Sequence, residues 1–115
     1  MNAVMLIGNL ATDVTLKEVA EGKRVADFLL AVDRRMKDGG ADFLRIVAWE
    51  RQAELCGQYL AKGRRVGIEG YLRARTWEDD GKRRREVDVI ARSIEFLTPA
   101  RDGDTEVVPF EAAVA

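Results

Sequence analysis

From Arg65 the chain reads RVGIEGYLRARTWEDDGKRRREVDVIARSIEFL, a long alternating stretch broken once by Asp79-Asp80-Gly81. A period of two sends successive side chains to opposite faces of a strand, where a helix needs a period near 3.6. The Asp-Asp-Gly cluster is a turn, so two strands joined as a hairpin are expected and the fold has to be built round a sheet. The same alternation puts Tyr71, Arg73, Arg75 and Trp77 in one row, with Leu72, Ala74 and Thr76 behind them. Arg83, Arg84 and Arg85 follow just beyond the turn.

Upstream, AVMLIGNL is a short apolar strand stopped by Gly8-Asn9. VTLKEVAEGKRVADFLLAV reads as two strand segments around a turn at Glu21-Gly22-Lys23, with Phe28, Leu30 and Val32 at period two. After the turn cluster MKDGGA comes the strand DFLRIVAW, rich in branched and aromatic residues. The period then changes. In ERQAELCGQYLAKG, Ala53, Cys56 and Leu60 stand at helical spacing, and Gly63 is placed to end the helix. The order is three strands, one helix, then the hairpin. That order predicts an all-β fold, a five-stranded oligonucleotide-binding (OB) barrel with one α-helix between strands three and four. An unrelated small β-barrel bearing one helix has the same order. Residues 1–97 are expected to be the domain and 98–115 a flexible acidic tail without a core pattern.

A chain of 115 residues holds one ordinary domain. The net charge of −1 conceals a division: residues 1–97 hold 18 basic and 16 acidic side chains, a net of +2. The tail holds Arg101 against Asp102, Asp104, Glu106 and Glu111, a net of −3. Charge balance alone therefore does not point to nucleic acid; the positions of the charges do. No apolar run approaches the roughly 18 residues of a membrane helix. The opening MNAVMLIGNL has neither a basic n-region nor a cleavage site, and the single Cys56 agrees with a reducing compartment. A cytoplasmic protein with no membrane contact is expected.

In DFLRIVAWER the alternation places Phe43, Arg45, Val47, Trp49 and Arg51 on one face and Leu44, Ile46 and Ala48 on the other. Two strands thus each present aromatics interleaved with arginines, opposite an aliphatic face that fills the barrel. Unpaired bases offer π-faces to stack on, and the phosphates beside them need cations. Arginine serves both, pairing with phosphate or lying flat on a ring. Duplex DNA hides its base faces, so this surface favours single strands. Burial in the core or a subunit contact is the ordinary fate of a strand aromatic, and it stands beside the stacking reading for Trp49 and Tyr71. Glu78, Asp79, Asp80 and Glu86 can likewise neutralise the KRRRE segment in place.

Catalysis finds little support. The chain has no histidine, its lone cysteine sits on the apolar stripe of a helix, and no phosphate-loop motif is present. No cofactor, metal or enzymatic activity is expected.

The segments VMLIGNLATDV, FLLAVDRR, DFLRIVAW, YLAKGRRVGIEGYLRARTW and IARSIEFL, in this order through residues 1–97, resemble the bacterial single-stranded DNA-binding protein family. The resemblance implies an OB barrel, usually a homotetramer, that wraps single-stranded DNA in replication, recombination and repair. It implies that Phe43, Trp49 and Trp77 stack bases, with Tyr71 in the same row. Met36 stands where the family often has a further tryptophan. Arg51, Lys62, Arg73 and Arg75 match basic positions on the DNA path, and Arg34, Arg35 and Arg45 complete the phosphate-contact candidates. Arg83, Arg84 and Arg85 fall in the hairpin loop that reaches over DNA. Leu44 replaces a common subunit-contact histidine and Ala3 a frequent basic residue. In the tail, Asp102, Asp104, Glu106, Pro109 and Phe110 resemble the tip that recruits replication and repair proteins, but Glu-Ala-Ala-Val-Ala follows it. Two other readings fit the same faces: an accessory or restart OB module acting through protein contacts, and an RNA-binding OB protein.

Overall fold

The computed structural model describes residues 1–37 and 39–98. Six strands and one α-helix follow one another as β1 (Val4–Leu10), β2 (Thr15–Glu18), β3 (Arg24–Asp33), β4 (Ala41–Trp49), α1 (Glu50–Tyr59), β5 (Arg65–Asp79) and β6 (Lys82–Phe96). The sheet order is β1-β5-β6-β4-β3-β2, and β1 also pairs with β3, which closes the strands into a ring. Every pairing is antiparallel except the short parallel contact of Ile46 and Val47 with Val89 and Ile90.

The expected five strands and the observed six are one topology. β1 meets β3 at Leu30 and Ala31, and β2 meets the same edge at Arg24–Asp27, so the two are successive pieces along one edge. Between them the ladder is kept up by substitutes: the Ala11 amide donates to the Leu29 carbonyl (2.8 Å), and the Thr12 hydroxyl accepts from the Leu29 amide (3.1 Å). Counted this way, α1 falls between strands three and four as the element order predicted.

The core is the inward half of the alternation. Phe28 and Leu30 of β3, Ile46 and Ala48 of β4, Val66 and Ile68 of β5 and Val89 and Ile94 of β6 are buried together. Ala53 and Cys56 of α1 and Leu60 just after it join them, so the helix packs its apolar stripe chiefly on β3 and β4. α1 ends at Tyr59, four residues before Gly63. There the chain turns to dock on the first strand: the Gly63 amide donates to the Leu10 carbonyl (2.8 Å), and the Lys62 amide to Asp13 Oδ1 (2.9 Å).

Two features shape the second hairpin. The β5–β6 register shifts at Glu69/Gly70, and a Cβ on Gly70 would lie 1.9 Å from the Ile90 carbonyl oxygen, so only glycine lets the strands approach so closely. Asp80 (φ 51°) and Gly81 (φ 75°) form a two-residue turn closed by Asp79 opposite Lys82, the left-handed pair that matches strand twist. The turn is thus tighter than expected, and β6 begins at Lys82. Arg83, Arg84 and Arg85 lie in the strand, not in a loop, because the short turn leaves them opposite Glu78, Trp77 and Thr76. Among the described residues, no helix is long and apolar enough to cross a membrane.

Candidate nucleic-acid interface

The β3–β4 and β5–β6 ribbons pair through two parallel registers, Ile46–Val89 and Val47–Ile90. A groove of about 620 Å³ lies beside this contact. Trp49 and Arg45 enter it from β4, Arg73, Arg75 and Trp77 from β5, and Asp88 from β6. Val47 and Ile90, both buried, form its apolar floor with Val25. The alternation had put Val47 on the exposed face; it does lie there, but the neighbouring β6 covers it.

Trp49 (38% exposed) is the last residue of β4 and stands immediately before the helix. Trp77 (40% exposed) stands two registers short of the hairpin turn. Half-hydrated rings on both sides of one groove leave π-surface for a flat ligand, which a fully buried tryptophan would not. The Arg75 guanidinium lies 5.2 Å from the Trp77 ring centre, covering one side of it.

The floor carries a row of alternating charge across four strands. Asp88, 3% exposed, accepts from Arg75 Nε (2.5 Å) and Arg45 Nη1 (2.8 Å) at Oδ2, and from Arg75 Nη2 (3.3 Å) at Oδ1. Arg45 Nε also donates to Asp27 Oδ2 (3.0 Å), and Arg75 Nη2 to Glu86 Oε2 (3.1 Å). Asp27, Arg45, Asp88 and Arg75 therefore run in sequence from β3 to β5. Burying a charged group is costly unless it is paired and hydrogen-bonded, as Asp88 is here. In return the hydrogen bond to Asp88 raises the pKa of Arg75 above the ordinary guanidinium value, aided by the nearby charges of Asp88, Glu86 and Asp27. Of the three carboxylates only Glu86 stood out in the sequence, as a neutraliser of the KRRRE segment; Asp27 and Asp88 did not. The available signal was an acid in the apolar run EVDVIA, facing an arginine-bearing strand across the hairpin.

Arg73, by contrast, lines the groove with no acidic partner among the described residues. Arg35, Arg51, Lys62, Arg83 and Arg85 are exposed and likewise without an ion-pair partner among the described residues. Arg34 pairs with Asp42 (2.9 Å), and Arg84 lies 3.8 Å from Asp79.

The remaining aromatic candidates sit apart from the groove. Phe43 (62% exposed) is on the face of β4 that carries Arg45 and Trp49, six residues and about 20 Å along the strand from Trp49. Met36 (68% exposed) is in the β3–β4 turn. Tyr71 is half-buried, with the Arg92 guanidinium 5.0 Å from its ring centre. Asp102, Asp104, Glu106, Pro109 and Phe110 lie outside the described residues. Among the described residues, no cluster of three or more metal-ligating side chains is present.

The Single-strand binding protein family model matches residues 1–97. Single-stranded DNA-binding protein 2 of Clostridium acetobutylicum is 40% identical over 119 aligned positions, spanning 99% of this chain and 90% of that protein. The single-stranded DNA-binding protein of Clostridium tetani is 45% identical, over 84% of this chain and 70% of that one. Among solved structures, the Plasmodium falciparum SSB complex with ssDNA superposes with a TM-score of 0.79 at 30% identity, covering 84% of this chain and 95% of that one. With the closed strand ring, the helix at its place in the order and the family match through the whole ring, this chain belongs to the single-strand binding protein family.

Proposed function

We propose that this protein binds single-stranded DNA with little regard to sequence, protecting it during replication, recombination and repair, and that it does so without catalysing a reaction. One observation carries the reading: two half-exposed tryptophans, from different strands, flank a single arginine-lined groove. Trp49 and Trp77 take bases there, and Phe43 extends the track along β4. Met36 and Tyr71 are further, weaker platforms. Arg73 in the groove and Arg34, Arg35, Arg51, Lys62, Arg83, Arg84 and Arg85 around it meet the phosphates. The names of the two clostridial relatives and the nucleic acid in the Plasmodium complex support the same ligand. The homotetramer belongs to this proposal, as does recruitment of replication and repair proteins through residues 102–110.

Both tryptophans of the chain are assigned to the groove, so their fluorescence tests the assignment. Titration with oligo-dT is expected to quench strongly, an equal concentration of duplex weakly, and added salt to reverse the quenching. Absence of quenching, with no binding by a labelled oligonucleotide, overturns the reading. An RNA homopolymer competing equally well would shift it to an RNA-binding OB protein.

A further inference from the structure

The groove's arginines are not equivalent. Arg45 and Arg75 each direct two or more N–H groups at carboxylates, and both meet at one buried oxygen, Asp88 Oδ2. Arg73 lines the same groove with no acidic partner among the described residues, although its Cα lies directly across the hairpin from that of Asp88. Asp88 reaches diagonally past Arg73 to Arg75, as adjacent strands allow.

We infer that Asp88 is a positioning residue that serves as an internal counter-ion: it holds Arg45 and Arg75 as a flat, neutralised floor beneath the stacking site and leaves Arg73 as the groove's phosphate contact. The inference rests on the single-stranded DNA reading above and divides the labour within that site. Buried at the contact of β4 and β6, Asp88 is shielded from salt and solvent, so phosphate arriving from water competes poorly for its partners. A guanidinium already neutralised releases no DNA counter-ion when a strand binds, whereas an unpaired one does. Arg75 keeps its other role, because the side of its plane against Trp77 holds that ring in place.

Counter-ion release makes the division measurable as the slope of log K against log salt, a quantity that loss of packing alone does not move. Each phosphate contact contributes about 0.7 to the slope for single strands, which is roughly 2.6-fold in affinity for a fourfold change of salt. The experiment is oligo-dT binding by the full chain at several salt concentrations, with native folding of each variant checked by thermal unfolding. Arg73→Gln is expected to flatten the slope by about 0.7, and Arg75→Gln to lower affinity with the slope unchanged. Asp88→Asn keeps the shape, removes the counter-ion and is expected to steepen the slope. Asp88→Glu restores the original slope. Should Arg75→Gln not fold, Arg45→Gln and Asp88→Asn read the same quantity. Equal flattening by Arg73→Gln and Arg75→Gln, or an Asp88→Asn slope identical to that of the unaltered protein, overturns the inference while leaving single-strand binding intact. An unaltered protein that does not bind oligo-dT overturns both.

Discussion

The guanidinium of Arg75 lies 5.2 Å from the ring centre of Trp77 and is held there by Asp88 on the neighbouring strand. One side of the indole is thereby backed by a cation, and the proposed base stacks on the other. Trp77→Ala is expected to weaken binding of any single-stranded sequence by about 1–3 kcal/mol, since stacking is tolerant of base identity. Trp77→Phe should recover part of that loss. A folded Trp77→Ala protein that titrates oligo-dT like the unaltered one removes Trp77 from the site.

Arg83 and Arg85 project from β6 beside the turn, exposed and without an ion-pair partner among the described residues. They are anchored by strand pairing opposite Glu78 and Thr76, so in the proposed complex they would meet DNA from a fixed rail. Replacing both with glutamine is expected to flatten the salt dependence by about 1.4, two contacts at roughly 0.7 each. Thermal stability should scarcely change, because exposed charges contribute little to it. A slope that does not change places the strand's path away from this end of the hairpin.

The sequence carried much of this arrangement, and the parts it hid share a cause. Period two reports which side of a strand a residue takes, so the core positions Ile46, Ala48, Val66 and Ile68 and the groove row Arg73, Arg75, Trp77 were legible. It does not report what lies on the next strand. Val47 shares a face with Trp49 yet is buried, because β6 pairs alongside it and sets Ile90 next to it. Arg45 and Arg75 read as free cations for the same reason, since Asp88 lies 43 residues from Arg45 and 13 from Arg75 and was one carboxylate among many. The resemblance implied a loop for the basic run 83–85, whereas Asp79 pairs with Lys82 and carries the run into the strand. Long-range register decided each of these.

Gly70 is expected to tolerate no side chain. Its absent Cβ would meet the Ile90 oxygen at 1.9 Å and the Ile90 carbonyl carbon at 2.9 Å, both backbone atoms that cannot rotate away. Gly67, three residues earlier on the same strand, faces only ordinary contacts at 3.7 Å from Glu95 and Leu97 side chains. Gly70→Ala should therefore destabilise by about 3 kcal/mol or more, at the upper end of overpacking costs. Gly67→Ala should stay within about 1 kcal/mol of the unaltered protein. Chemical denaturation of the two variants side by side measures the contrast, and equal stability would mean that the bulge at Glu69/Gly70 relaxes to admit a methyl group.

Cys56 gives a pH dependence whose sign follows from its burial. It lies fully inside the core on the apolar stripe of α1, and desolvation pushes its thiol up to about 12 from an ordinary value of 9.0. Between those two values the unfolded chain loses a proton that the folded chain keeps, so stability falls as pH rises through this window. Below about pH 9 the thiol is neutral in both states and its contribution is fully present. At pH 8 the native thiol is ionised in only about one molecule in ten thousand, against roughly one in ten when unfolded, and only the thiolate reacts. Alkylation at pH 8 is therefore expected to be slow in the native protein and to accelerate sharply in denaturant. Cys56→Ala should lose the excess decline of stability above pH 9, measured as the difference from the unaltered chain. Rapid alkylation under native conditions would mean that α1 opens from the ring far more readily than its packing on β3 and β4 indicates.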